Sequence, residues 1–168
     1  MTHLLQRLFL VVMLAPAAVI AGCAGAVYSP PGTTTTVILL RHAERTPLTA
    51  ELTERGRARA AALPAAVADL RIDAIYTPNL KRNLDTAAPL ARARNLKVRV
   101  IEETAIAARL VGENPGKTAV WVGNSDNLEK IYEDLRGDGV PPVGYGDLFI
   151  LRVPDKGLTT VTRTRYGD

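Results

Sequence analysis

Short apolar runs alternate along the chain with alanine-rich segments of helical period. Residues 37–40 are a continuous run of branched apolar side chains, the pattern typical of a strand buried on both faces. Further strands are predicted over 73–77, 97–101 and 118–122. A closing hairpin is predicted over 147–153 and 159–165.

Helices are predicted between these strands, over 52–70, 78–94, 104–110 and 127–135. Thr53 is placed to cap the first of them. Pro64 and Pro89 fall inside predicted helices and are expected to bend them. Strands that alternate with helices predict an α/β fold, a three-layer sandwich with a mainly parallel sheet.

The first 36 residues follow a different pattern. A basic start at Arg7 precedes an apolar run over 8–20, which as a helix would span about 20 Å and fall short of the roughly 30 Å hydrocarbon core. This pattern predicts a signal peptide over residues 1–22. Residues 23–36 contain two prolines and four threonines without an apolar period, which predicts a flexible linker before a domain over 37–168.

The segment Ile-Ala-Gly-Cys at residues 20–23 resembles the lipobox of bacterial lipoproteins. The resemblance implies cleavage before Cys23, lipidation of that cysteine and attachment of the domain to a membrane. Ala24 stands where an aspartate would signal retention, so the implied location is the cell envelope, at the periplasmic face of the outer membrane in a Gram-negative cell. The alternatives are ordinary signal cleavage with a free Cys23, or an uncleaved anchor.

Composition restricts the chemistry of the chain. A length of 168 residues suits one domain, and 21 basic against 17 acidic side chains is a small surplus. Aromatic residues make up 5%, too few for a base-stacking platform, so no nucleic-acid partner is predicted. With one cysteine and two histidines, of which His3 lies in the predicted signal, we predict no metal site and no cofactor.

Arg41 and His42 directly follow the first predicted strand, and Arg45 lies three residues further on. Guanidinium groups bind phosphate through paired N–H groups, and neutral imidazole is a nucleophile. These residue types therefore suit a phosphate site. The alternative is a solvated loop in which both arginines pair with Glu44 and Glu51.

Two further polar residues are expected at the same edge of the sheet. Arg82 lies in the first turn of the second predicted helix, and Asn124 follows the fourth strand. Ligands of parallel α/β sheets bind beyond the carboxyl ends of the strands. Other arginines, at positions 55, 57 and 59, recur on the first helix and are predicted to form a solvated face.

Four segments resemble motifs of the histidine phosphatase superfamily, which includes the phosphoglycerate mutases. The sequence VILLRHAER at 37–45 resembles its Arg-His-Gly motif, and LTERG at 52–56 its Leu-Thr-x-x-Gly helix start. Residues 73–87, which contain RNLDTA, resemble its Arg-x-x-x-Thr-Ala helix, and AVWVGNSD at 119–126 stands where the family has Val-Gly-His-Ser. The resemblance covers about 37–153 and implies a phosphoglycerate mutase-like fold.

The resemblance also implies roles for individual residues. His42 would be the nucleophile that becomes phosphohistidine, and Arg41, Arg45 and Arg82 would bind the phosphoryl oxygens. The second family histidine is Asn124 here, which keeps a neutral N–H donor but cannot carry a proton charge.

The proton donor to the leaving group is left open by the sequence. Glu103 is the candidate acid, beside Glu102 and Asp126, and a solvated surface role is the alternative for each. The implied function is a cell-envelope phosphatase that acts on a phosphoester or phosphohistidine, in a small molecule or a phosphoprotein. The alternative is a weakened or inactive relative that binds phosphorylated ligands or has a structural role in the envelope.

Overall fold

A computed structural model of the chain describes residues 25–102 and 104–167. Six strands and four helices make up this part of the molecule, in the order β1 (Thr34–Arg41), α1 (Glu54–Ala66), β2 (Ala74–Thr77), α2 (Lys81–Arg94), β3 (Val98–Val100), α3 (Ile106–Gly112), β4 (Thr118–Gly123), α4 (Ser125–Asp134), β5 (Asp147–Pro154) and β6 (Thr160–Arg165).

The strands form one sheet in the order β3-β2-β4-β1-β5-β6. The first four of these are mutually parallel, and β5 and β6 add the predicted antiparallel hairpin at the edge beside β1. The prediction of a mainly parallel α/β fold is confirmed. Arg41 is in register with Gly123 of β4, so the carboxyl ends of the two central strands lie side by side.

Helices cover both faces of the sheet, as the alternation along β1 requires. Val37 and Leu39 pack into a core with α3 and α4, whereas Ile38 and Leu40 pack with α1 and α2. All four side chains are fully buried. One hydrophobic layer therefore lies on each face of β1. The last residues of the strand emerge between the two layers at the carboxyl end of the sheet.

The helices are shorter than predicted at several ends. Thr53 is confirmed as the N-cap of α1, since its hydroxyl accepts the N–H of Gly56 at 3.0 Å. The helix begins after it, and Leu52 instead forms an isolated β-bridge with Arg45. Both α1 and α2 contain their prolines as internal residues.

The predicted linker is wrong over its C-terminal part. Thr34 already belongs to β1, and Ser29 is buried, with its hydroxyl donating to the carbonyl of Val153 at 2.6 Å. The backbone N–H of Val27 donates to the backbone carbonyl of Asp134, at the end of α4, at 2.8 Å. Thr34, Thr35 and Thr36 are strand residues because β-branched side chains fit a sheet, and the prolines precede the strand instead of interrupting it.

The predicted signal peptide and Cys23 lie outside the described residues. Within the described residues, no helix has both the length and the apolar composition needed to cross a bilayer.

Candidate active site

His42 lies at the carboxyl end of β1 and is only 3% exposed. Its backbone N–H donates to the carbonyl of Gly123 at 2.9 Å, which continues the pairing of β1 with β4. Its ring Nδ1 lies 2.8 Å from the carbonyl oxygen of Ala43. A carbonyl oxygen can only accept, so Nδ1 carries the proton of the neutral ring and the lone pair is on Nε2.

The imidazole is held in its neutral form. Burial lowers its pKa to about 4, and the positive charges of Arg82, Arg41 and Arg45 act in the same direction, against the raising effect of the Ala43 carbonyl. At neutral pH the ring is therefore uncharged and Nε2 is available as a nucleophile.

Arg41 is held without a carboxylate. Its Nη1 donates to the backbone carbonyl of Val143 at 2.9 Å, and its guanidinium lies over the ring of Tyr145 at 4.3 Å from the ring centroid. Its Nε is buried and has no hydrogen-bond partner. Nε and Nη2 form the edge with which a guanidinium binds an anion in a bidentate manner, and no described residue accepts from the Nε of this edge.

Arg82 and Asn124 contact each other directly. Nε and Nη2 of Arg82 donate to Oδ1 of Asn124 at 3.2 and 3.0 Å. Asn124 is the N-cap residue of α4, and its backbone N–H donates to Oδ1 of Asn127 at 2.9 Å. A Cβ atom on Gly123 would lie 2.4 Å from that same Oδ1, so a side chain at the end of β4 would displace the Asn127 amide from this turn.

Arg45 also finds only neutral acceptors. Its Nη1 lies 3.0 Å from the carbonyl of Thr46, 3.1 Å from that of Pro47 and 3.4 Å from that of Thr49, all in its own loop. The structure thus brings all three predicted arginines close enough to His42 to depress its pKa, with Asn124 bound to one of them.

The carboxylate of this loop is turned away from the arginines of the site. Glu44 accepts from Nε of Arg59 at 2.9 Å and from its Nη2 at 2.8 Å, and the alternative pairing with Arg41 and Arg45 does not form. Arg59 is 1% exposed, so the prediction of a solvated arginine is wrong at this position. Burial is possible because the guanidinium is paired and also donates to the carbonyl of Tyr166 at 2.6 Å.

The helix start after this loop approaches the backbone closely. A Cβ atom on Gly56 would lie 2.1 Å from the carbonyl oxygen of Glu44, so the glycine of the Leu-Thr-x-x-Gly segment is required by contact with the loop that carries His42. The N–H of Thr53 donates to that same carbonyl at 2.9 Å. The start of α1 therefore packs directly against the loop between β1 and α1 at the carbonyl of Glu44.

Thr86 connects the loop to α2. Its hydroxyl accepts the backbone N–H of Ala43 at 2.9 Å and donates to the carbonyl of Arg82 at 2.7 Å. Because Thr86 is fully buried, this one side chain fixes the position of His42 relative to the helix that carries Arg82.

Among the described residues, no hydrogen bond or ion pair joins Glu102 or Asp126 to His42 or to the three arginines around it. Glu102 and Asp126 are exposed, and Glu103 lies outside the described residues. Among the residues with a described position, no group of three histidine, cysteine or acidic side chains could hold a metal ion.

Tyr145 is a site residue that the sequence did not indicate. Its ring lies edge-on to the His42 ring, with centroids 5.8 Å apart and planes at 65°. It stands in a loop of glycine and proline residues before β5, outside every recognisable motif, so no sequence pattern pointed to it.

A cavity of about 350 Å³ lies between α1 and α2 and contains none of the predicted site residues. Its walls are the side chains of Glu51, Leu52, Arg57, Ala60, Ala61, Asp85, Ala88, Pro89 and Arg92.

Comparison with known proteins gives one family match. The model of the histidine phosphatase superfamily (branch 1) matches residues 37–137. No curated protein matches the chain in sequence.

Several solved structures share the fold at low identity. The protein histidine phosphatase SixA, complexed with tungstate, is similar with a TM-score of 0.61 and 17% identity over 77% of this chain and 96% of that one. Phosphoglycerate mutase from Bacillus anthracis has a TM-score of 0.59 and 14% identity over 81% of this chain and 94% of its own. A mycobacterial glucosyl-3-phosphoglycerate phosphatase in complex with inorganic phosphate has a TM-score of 0.54 and 16% identity over 79% and 97%. At these identities the likeness concerns the fold.

Proposed function

Because the chain belongs to the histidine phosphatase superfamily, we propose that it is a phosphatase whose nucleophile is His42. In the first step Nε2 attacks phosphorus, a P–N bond forms, and the P–O or P–N bond to the leaving group breaks. In the second step water attacks the phosphohistidine, the P–N bond to His42 breaks and inorganic phosphate is released. The hydrogen bond from Nδ1 to the Ala43 carbonyl supports this role because it directs the lone pair to Nε2.

The observation that carries the proposal is the charge pattern around the imidazole. Arg41, Arg45 and Arg82 are all held by neutral groups, and no described carboxylate lies within ion-pair distance of any of them. Their charges are therefore uncompensated beside a buried nucleophile. A phosphoryl group supplies the missing negative charge, and phosphoryl transfer needs little more than alignment and charge neutralisation.

The expected rate of phosphoryl transfer depends on the donor that Asn124 offers. Its Oδ1 is occupied by Arg82, which leaves its Nδ2 as a neutral donor toward a phosphoryl oxygen. Loss of one transition-state donor costs about 10²- to 10³-fold in rate, and a retained neutral donor costs less. We infer that Asn124 takes the place of the second family histidine with reduced activity, and that Asn124→His raises turnover.

The proposed substrates are phosphoesters or phosphohistidine, in small molecules or in phosphoproteins. Because the described residues assign no acid to the leaving group, the proposal favours a leaving group that departs without a strong acid, as in phosphohistidine. SixA, to which the fold is similar, is named as a protein histidine phosphatase. Glu103 stays a predicted acid.

A second candidate function rests on Asn124 itself. Without a chargeable second donor, the same three arginines suit a protein that binds phosphorylated ligands and does not turn them over. For either function we propose the cell envelope as the location, through a lipid on Cys23 after removal of the predicted signal peptide.

The proposal is tested by steady-state hydrolysis of p-nitrophenyl phosphate, measured beside thermal unfolding with inorganic phosphate. We expect wild type to hydrolyse the ester, His42→Ala to lose all turnover, and Arg82→Ala to lose about 10²-fold or more. Arg71→Ala, which removes an exposed arginine paired with Asp73, is the matched control and keeps wild-type rates.

The outcomes separate the two functions. Equal rates in wild type and His42→Ala would exclude the proposed nucleophile. Stabilisation by phosphate without turnover in wild type would instead indicate the binding protein.

A further inference from the structure

The plane of the Arg41 guanidinium is not fixed by hydrogen bonds alone. The group makes one hydrogen bond, from Nη1 to the Val143 carbonyl, and a single bond of this kind does not define the plane of the group. Its unused Nε–H must nevertheless keep a constant direction if that edge is to receive an anion. A carboxylate could fix the plane, but it would also compete with the anion for the same charge.

The ring of Tyr145 meets this requirement without adding charge. A guanidinium 4.3 Å from the centroid is attracted by the negative face of the ring, and stacking defines its plane. The same ring lies edge-on to His42. Because β5 lies on the opposite side of β1 from β4 and β2, Tyr145 flanks His42 on the side opposite Arg82 and Asn124.

The backbone around Tyr145 is itself fixed. The N–H of Gly144 donates to Oδ2 of Asp147 at 2.8 Å, and the carbonyl of Tyr145 accepts from Nη2 of Arg165 at 3.0 Å. The carbonyl of Gly146 accepts the N–H of Tyr166 at 2.9 Å. The ring is therefore presented by a turn that is bonded on both sides, as a rigid platform requires.

We propose that Tyr145 is a positioning residue of the phosphate site, which acts by holding the plane of the Arg41 guanidinium. The inference rests on the proposed function only in so far as the site binds a phosphoryl group. It concerns the ring and not the hydroxyl, for which the described residues provide no hydrogen-bond partner.

The test compares Tyr145→Phe with Tyr145→Leu, using calorimetric titration with inorganic phosphate and kcat and KM for p-nitrophenyl phosphate. Phe keeps the aromatic face and should bind phosphate within about twofold of wild type, since ring stacking carries the effect. Leu keeps an apolar side chain without the face and should weaken phosphate binding by about fivefold to thirtyfold, the range of a partly desolvated cation–π contact.

The matched control is Tyr28→Leu. Tyr28 stacks on Arg136 at 4.9 Å from its ring centroid, so this variant also removes a Tyr–Arg stack, but away from the site. It should bind phosphate as wild type does. Thermal unfolding without phosphate confirms that each variant is folded.

The possible results lead to different conclusions. Phosphate affinity in Tyr145→Leu equal to that of wild type would overturn this inference and leave the proposed phosphatase standing. An equal loss in Phe and Leu would also overturn it, because the ring would not be responsible. Wild type that binds phosphate without turnover would refute the phosphatase, while the Leu variant would still test Tyr145. Wild type that neither binds phosphate nor hydrolyses the ester would refute both.

Discussion

At the residue scale, the chemistry of the site depends on which partners its side chains lack. Arg59 and Arg41 are both largely enclosed by the fold, yet Arg59 is neutralised by Glu44 whereas Arg41 has a carbonyl and an aromatic ring. An arginine paired with a carboxylate stabilises structure, and one held by neutral groups keeps its charge for a ligand. The direction in which Glu44 points therefore decides which arginines are available to an anion.

The pKa of His42 should lie far below that of an ordinary histidine. After removal of residues 1–22 it is the only histidine, so NMR gives one imidazole signal to follow with pH. We expect a pKa of about 4 in the folded protein, because burial and three guanidinium groups disfavour the charged ring. A midpoint near 6.5, the value of a free histidine, would contradict the site described above.

The same shift makes stability depend on pH. Between about pH 6.5 and 4 the unfolded chain binds a proton that the folded chain does not, so the free energy of unfolding decreases as the pH falls through this range. In His42→Gln this contribution is absent, and chemical unfolding at pH 7 and pH 5 measures the difference.

The placement of a residue was predictable here where a local motif carries it. Arg41 and His42 lie at the end of β1, and Arg82 lies in the first turn of α2, as the pattern of elements predicted. The roles of Arg59 and Tyr145 were not predictable, because they come from partners far away in sequence: the carbonyl of Tyr166 for one and the guanidinium of Arg41 for the other.

At the element scale, the loop between β1 and α1 is shaped from two sides. The start of α1 supports it through Gly56, and α2 holds it through Thr86. Neither helix contributes His42, but both determine where it lies. Gly56 and Thr86 take no part in the chemistry, and their presence in the motifs is explained by these structural contacts.

Thr86→Val should separate this positioning from catalysis. Valine has nearly the same shape but offers no acceptor, so the buried N–H of Ala43 loses its partner, at a cost of about 1–3 kcal/mol in the free energy of unfolding. Thr86→Ser keeps the hydroxyl and should retain the hydrogen bond. Urea unfolding and hydrolysis rates are the measurements, and Val and Ser variants with equal rates would show that the contact does not position His42.

Element types were predictable because β-branched runs and alanine-rich segments have different periods. The start of α1 was also predictable, from its cap at Thr53. The start of β1 was not, because its extension back to Thr34 depends on pairing with β5. This pairing is a tertiary contact that a local pattern does not contain.

At the scale of the whole molecule, the remaining prediction concerns attachment. Cys23→Ser should release the domain from the membrane fraction into the soluble envelope fraction, because each buried methylene of a lipid contributes about 0.8 kcal/mol and the substitution removes the acylation site. Fractionation of cells that express wild type and variant measures it. Wild type found in the soluble fraction would contradict lipidation.

The docking of Val27 and Ser29 has a consequence for where such a protein could act. Val27 bonds to the end of α4 and Ser29 to the end of β5, and both contacts lie at the end of the sheet where β1 begins. His42 lies where β1 ends. The eight residues of β1 separate the two ends by about 26 Å, at 3.3 Å per residue. Four residue steps, at most about 14 Å, separate Cys23 from Val27. A lipid on Cys23 would therefore hold the end of the domain opposite His42 nearest to its own bilayer. With the domain held upright on this end, the phosphates that reach His42 would be those that diffuse through the compartment or are displayed by structures facing the membrane, in preference to the headgroups of that bilayer.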